Sequence, residues 1–167
     1  MFRHKARLML GGNVVNSTEQ TKYSSTIKDM SAGLMTFLYV KNGLGLMDGD
    51  IVNEFCMSPC DKNIWSCCGA DFGTRCDAVV FLKGDLYGLK TASNSFQNYF
   101  GDFIRDLGFP PSRADQYLWI HKYDKCEGYE YIATHVDDVI IAAKNPSKYM
   151  HGIEMHFEVR EITDSPN

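Results

Sequence analysis

A chain of 167 residues, 44% apolar and 23% charged, has the composition of a globular protein able to bury one sizeable core, as one domain or a fragment of a larger one. Its formal charge of −4 excludes a surface that grips nucleic acid all round, because such affinity comes mainly from Lys and Arg neutralising phosphates. The basic residues are uneven, however: Arg3, Lys5 and Arg7 all precede the first acid, Glu19, which leaves room for a local phosphate-binding patch.

No run approaches the roughly 20 apolar residues that span a bilayer, and "LML" after Arg7 is too short for a secretory signal, so no membrane and an intracellular location are expected. In that setting Cys56, Cys60, Cys67, Cys68, Cys76 and Cys126 are expected to be reduced thiols. Five of the six crowd the stretch from Cys56 to Cys76, which raises a zinc reading. The spacing lacks the paired C-x₂-C knuckles of structural zinc sites, and buried small thiols are the plainer alternative.

In chain order, "STIKDMSAGLMTFLYVKNG" predicts a helix with Met30, Leu34, Phe37 and Leu38 toward a core and Gly43 as its stop. "LGLMDGDIVNEF" predicts a strand running into a turn or helix start. β-prone pieces at Ile64 to Ser66 and Ala78 to Leu82 read as a hairpin. "TASNSFQNYFGDFIRDLGF" predicts a helix capped by Thr91 or Ser93, with Phe96, Phe100, Phe103, Ile104 and Leu107 as its apolar stripe and Gly108 as its end. "QYLWIHKY" reads as a strand, a polar turn covers Asp124 to Gly128, and "EYIATHVDDVIIAA" reads as two strands folded back at the aspartates. "PSKYMHGIEMHFEV" closes as a helix with Pro146 near its start and Tyr149, Ile153 and Phe157 four residues apart. This order predicts an α+β fold, a mainly antiparallel sheet with helices on it.

The adjacent acids Asp137 and Asp138 admit two readings. Asp is a common turn residue that bonds its own backbone. Yet the flanks "YIATHV" and "VIIAA" are strongly apolar, and two like charges about 4 Å apart repel by roughly 4 kcal/mol at an effective dielectric near 20, unless a cation or proton offsets them. Asp50, also preceded by an apolar strand, supplies the raw material for a metal pair of the phosphoryl-transfer kind. Asp48 and Asp50 as ordinary loop acids remain the other possibility.

The motifs "GDIVNEF", "DKNIWSCCGADFG", "LYGLK", "DLGFPPSRADQYLWI" and "HVDDVIIA", with "KARL" and "KYSSTIKDMSAGLMTFLYVKNGLGL" upstream, stand in the order and spacing of one family. Over nearly its whole length the chain resembles the reverse transcriptase of copia-type LTR retrotransposons. The resemblance implies a polymerase palm, an antiparallel sheet backed by helices, with partial fingers. The fingers would take about residues 1–45 and 62–90, and the palm about 46–61 and 91–167.

The resemblance further implies that Asp50, Asp137 and Asp138 form the catalytic acidic cluster, Asp50 and Asp137 bridging two Mg²⁺ ions, with Mn²⁺ as a substitute. Ile51 would add its backbone carbonyl. Because strand side chains alternate faces, Asp137 and Asp138 point together only if the turn reorients one of them, and Asp137 is taken as the direct ligand. Phe55 falls where the family excludes a 2′-hydroxyl. Tyr87, Gly88 and Lys90 of "LYGLK" would wall the nucleotide pocket, and Lys5 and Arg7 would meet the triphosphate. The implied partners are an RNA or DNA template with its primer, and a dNTP.

The chain also departs from the family. His135 stands where the family has the Tyr of its Tyr-Val-Asp-Asp box, at the primer end, and an imidazole titrates near neutrality. "TASNSF" replaces the usual small and basic residues after "LYGLK", and the cysteines from Cys56 to Cys76 are unusual. By the resemblance, the thumb, the RNase H domain and the integrase of the polyprotein are expected to be missing from this chain. Two functions therefore follow: RNA-directed DNA polymerase, or a catalytically silent remnant that at most binds nucleic acid or a partner.

Overall fold

The computed structural model describes residues 8–11, 26–60, 63–122 and 128–165. They group into two units, one drawn from residues 8–11 and 55–96, the other from 26–54 and 97–165, the division falling inside a helix. The larger unit is the sheet with its helices, and mixed α and β is its class.

Helix α1 spans Asp29–Asn42 and stops at Gly43, which takes φ 56 and returns its amide to the last turn. Its inward face agrees with the expected one only at Leu38. Met30, Leu34 and Phe37 are exposed, Met30 by 86%, whereas Met35 is buried and Leu38 and Tyr39 pack with it. Apolar residues occupy both sides of this helix, so their spacing does not select a single face.

Strand β1, Gly45–Ile51, runs unbroken through Asp48 and Asp50. A short helix α2, Glu54–Met57, follows. Strands β2, Trp65–Cys67, and β3, Val79–Phe81, pair antiparallel as the expected hairpin, with a 3-10 helix at Ala70–Arg75 between them. Helix α3, Ala92–Asp106, begins just after Thr91, and Phe96, Phe100 and Ile104 are buried along it as anticipated.

Strands β4, Leu118–Lys122, β5, Tyr129–His135, and β6, Asp138–Ala143, form the expected meander; most of the turn between β4 and β5 lies outside the described residues. Helix α4, Pro146–Glu154, is capped by the Asn145 side chain, which accepts from the Lys148 amide. It is shorter than expected: Phe157 is buried beyond its end, and Val159–Ser165 form an additional strand, β7.

The five-stranded sheet has the order β4-β5-β6-β1-β7, with every pair antiparallel. Alternation divides its two faces. Leu46, Tyr131, Ala133, Ile140 and Ala142 face α1, where they pack with Met35, Leu44 and Leu118. Val139, Ile141 and Ala143 are wholly buried on the other face, and α4 packs on β1 and β6. Gly49 belongs to that second face: a Cβ there would meet Val159 Cγ1 at 2.6 Å and Met150 at 3.4 Å. The glycine in "DGD" lets Val159 and Met150 close over β1 while its two aspartate neighbours turn the other way.

Candidate metal centre

Register explains where the acids go. Directly opposed residues of an antiparallel pair share a face, and Leu46 pairs with Ala142, Asp48 with Ile140, and Asp50 with Asp138. The face that α1 covers at Ala142 thus continues toward the hairpin tip and ends in carboxylates. His135 pairs with Asp138 across β5 and β6, on this same face.

Only Val136 and Asp137 separate β5 from β6, a two-residue hairpin. Val136 has φ 58, the left-handed region at the first central position that type II′ turns normally give to glycine. A β-branched residue there is strained by about 1–3 kcal/mol. The turn is held to the neighbouring strand, since the buried Ile51 donates its amide to the Asp137 carbonyl at 2.8 Å. That bond is the structural role observed for Ile51.

This turn brings Asp137 to the side where Asp138 already points. One carboxylate oxygen from each of Asp50, Asp137 and Asp138 lies within 4.8 Å of the others, with Asp50 and Asp137 half-buried and Asp138 exposed. The Asp138 carboxyl is pushed above its ordinary pKa of 3.8, first by desolvation, then by the charges of Asp137 and Asp50, with Asp48 adding to them and His135 opposing. Three hard oxygen donors converging in this way suit Mg²⁺ or Mn²⁺ rather than a thiophilic metal. Bond lengths near 2.1 Å would require only modest closure of these oxygens. Among the described residues this is the sole such cluster; Cys56, Cys60, Cys67, Cys68 and Cys76 form no disulfide and make no such group. Cys126 lies outside the described residues.

The remaining site residues fall in the smaller unit. The rings of Phe55 and Tyr87 lie 4.8 Å apart, both half-buried, and Lys90 is exposed. Gly88 takes φ 95, and the space of its missing Cβ is filled by the Leu10 carbonyl. Leu10 donates its amide to the Tyr87 carbonyl at 2.8 Å, and Met9 forms a parallel bridge with Tyr87. The close approach observed at this glycine is therefore by the chain's own backbone. Lys5 and Arg7 lie outside the described residues.

Sequence reasoning missed two neighbours of the cluster. Asp48 shares the face of Asp50 two residues along β1. Arg160, on the unforeseen β7, stands opposite Asp50 and pairs with Glu158. A bulge lies between these register points, with Glu161 at φ 54. The only signal for β7 was the β-prone trio Val159, Ile162 and Thr163, diluted by charge.

The fold and site thus define a protein whose antiparallel sheet presents three carboxylates at a hairpin tip. Over 73 residues, 44% of its length, the chain is 32% identical to a Saccharomyces cerevisiae protein that carries the name of transposon Ty5-1. It covers 23% of that protein. No protein family matches at the level of whole-family comparison, and no solved structure matches. Among the described residues no helix is long and apolar enough to cross a membrane.

Proposed function

We propose that this chain is the catalytic part of a transposon-encoded, copia-type RNA-directed DNA polymerase, with the antiparallel sheet as its palm. The observation that carries this reading is the convergence of Asp50, Asp137 and Asp138 from two strands far apart in sequence. The similarity to a transposon-named yeast protein supports it.

Asp50, Asp137, Asp138 and the Ile51 carbonyl would hold two Mg²⁺ ions, or Mn²⁺, which when bound would make the primer hydroxyl more acidic and offset charge on the departing pyrophosphate. The chain's own residues bind and orient. Asp50 on β1 and Asp137 in the hairpin turn bring carboxylates to one point, and Asp138, opposed to Asp50, completes the negative field. His135 lies beside them on the same face, where the primer end would rest. Phe55 and Tyr87 form an aromatic contact suited to the sugar of the incoming dNTP, and Lys5, Arg7 and Lys90 answer its phosphates. The primer 3′-oxygen gives up its proton to solvent water and attacks the α-phosphorus, and the bond from that phosphorus to the oxygen bridging it to the β-phosphate breaks to release pyrophosphate. An RNA or DNA template selects the base. The thumb, RNase H and integrase functions belong to other parts of the polyprotein.

One observation favours a second reading, a fold that binds nucleic acid without turnover: the residue paired with Asp138 is an imidazole, His135, in place of the phenol the family uses. Primer extension on an RNA template with Mg²⁺ or Mn²⁺ separates the two. The polymerase reading expects extension by the wild type, its loss in Asp137→Asn, and a gain in His135→Tyr. Equal extension by wild type and Asp137→Asn overturns the role of that carboxylate. Binding of primer-template without extension in either metal establishes the second reading.

A further inference from the structure

Phe55 stands on α2, a helix of four residues, and Tyr87 lies outside every helix and strand, so neither ring is fixed by its own element. What joins the two segments is a pair of backbone hydrogen bonds. The Asp85 amide donates to the Ser58 carbonyl at 3.1 Å, and the Cys60 amide donates to the Lys83 carbonyl at 3.3 Å, with Pro59 and Gly84 bridged antiparallel between them.

Ser58 is the node of this lacing. Its hydroxyl donates to the Phe55 carbonyl at 3.0 Å and its amide to the same oxygen at 3.3 Å, while its own carbonyl takes the Asp85 amide. A hydroxyl bonded three residues back is common at a helix end. Here the same residue also grips the segment that leads into Tyr87. Both partners are shielded from water, Ser58 being 0% exposed and Asp85 2%, and bonds with little water to compete are stronger than those at a surface. Gly84 completes the fit. A Cβ there would meet the Cys56 carbonyl oxygen at 2.9 Å and the Ser58 carbonyl oxygen at 3.3 Å, both backbone atoms that cannot swing aside. Two small residues thus set how closely the backbone of Phe55 approaches the backbone leading to Tyr87. The rings they carry meet at 4.8 Å between centroids, inclined by 57°.

We propose that Ser58 is a positioning residue for sugar selection: it holds Phe55 against Tyr87 at the spacing that admits a deoxyribose and rejects a ribose, a spacing that the bare Gly84 permits. This role rests on the polymerase reading above, in which the two rings meet the sugar of the incoming dNTP. Ser58 is fully buried and acts through Phe55, not by contact with the nucleotide. Rejection of a 2′-hydroxyl is steric, so a small displacement of the ring relaxes it, whereas the deoxy sugar fits either position.

Single-nucleotide primer extension by the full chain, in Mg²⁺ and in Mn²⁺, gives kcat/KM for a dNTP and for the matching rNTP. Ser58→Ala removes the hydroxyl and should lower the preference for dNTP by about 10- to 100-fold, since a misplacement of about 1 Å can change a rate by about 10²-fold. Most of that change should be a gain with rNTP. Gly84→Ala, which forces the two backbones apart, should shift the ratio in the same direction. A residue of purely structural importance would depress both substrates alike and leave the ratio unmoved. Once the ring is removed by Phe55→Ala, Ser58→Ala should change the ratio no further. Alanine fits the space of Ser58, so unchanged circular dichroism is expected. Extension with an unmoved ratio in Ser58→Ala, or the same added loss in the Phe55→Ala background, overturns the role of Ser58 and leaves the polymerase reading in place. A wild type that incorporates neither sugar in either metal overturns both.

Discussion

The two hairpins of this chain use opposite solutions to the same problem of an alternating strand pair. In the β5–β6 hairpin both faces are covered along most of their length, by α1 on one side and α4 on the other, and only the tip escapes. The tip is where the carboxylates sit. In the β2–β3 hairpin one whole face escapes, and it is aromatic. Residues left uncovered by an otherwise well-packed sheet are charged and convergent, whereas those left uncovered by a two-stranded ribbon are flat and apolar. The first arrangement suits a small hard cation.

The contrast is broken most severely at the carboxylates. Asp137→Asn removes one of three converging oxygens, and because a metal site of this kind contributes several kcal/mol at the transition state, extension is expected to fall by about 10³-fold. Steady-state incorporation rates check this. Next in size is the packing difference. Ile141 is fully buried beneath α4, so Ile141→Ala should cost about 2–5 kcal/mol. Val79→Ala, on the exposed ribbon, should stay within about 0.5 kcal/mol. Denaturant unfolding of both variants measures the gap, and equal losses would erase the distinction between the hairpins.

pH sharpens the comparison inside the sheet unit. Asp115 is buried; burial alone would raise its pKa, but hydrogen bonds from the Lys28 amide, the Ser31 side chain and the Tyr117 amide outweigh it and hold the carboxyl below its usual value. Its contribution to stability is thus present above pH 3.8 and fades as pH falls through the lowered folded value. Asp115→Ala should cost about 1–3 kcal/mol near neutrality. Asp138 has the opposite sign. Its pKa is raised, so the folded state holds its proton more tightly than the unfolded chain, and stability declines as pH climbs from 3.8 through the raised value. Asp138→Asn should therefore raise the melting temperature of the metal-free protein at pH 7, by a few degrees at most, and lose that advantage below about pH 4. A gain in stability is expected at the turn: Val136→Gly relieves a left-handed valine and should add about 1 kcal/mol after the added entropy of the unfolded chain.

Strand period and turn chemistry made much of this legible in advance. The meander, the β2–β3 hairpin and the helix starts near Thr91 and at Pro146 follow from local pattern, because alternation and breakers act over a few residues. The inward face of α1 followed only at Leu38, since Met30, Leu34 and Phe37 form as good a stripe with it as Met35 and Tyr39 do, and only the position of the sheet chooses between them. Strand β7 was hidden for a related reason: an edge strand with one covered side tolerates Arg160, Glu161 and Asp164, so its sequence resembles a loop. At the site, the acids were visible as residues, but their convergence was implied only by the family resemblance and not by local pattern. It depends on the Asp50–Asp138 register and on a left-handed Val136, a conformation that a β-branched residue gives no reason to expect.

The central claim is that Asp50, Asp137 and Asp138 together hold a divalent cation. Thermal unfolding with increasing Mn²⁺ tests it directly, since a ligand that binds only the folded state raises the melting temperature in proportion to the logarithm of its concentration. A rise is expected for the wild type, smaller in Asp50→Asn and in Asp137→Asn, and absent when all three aspartates are replaced by Asn. A melting temperature that ignores Mn²⁺ in the wild type, or rises equally in the triple variant, would contradict the account.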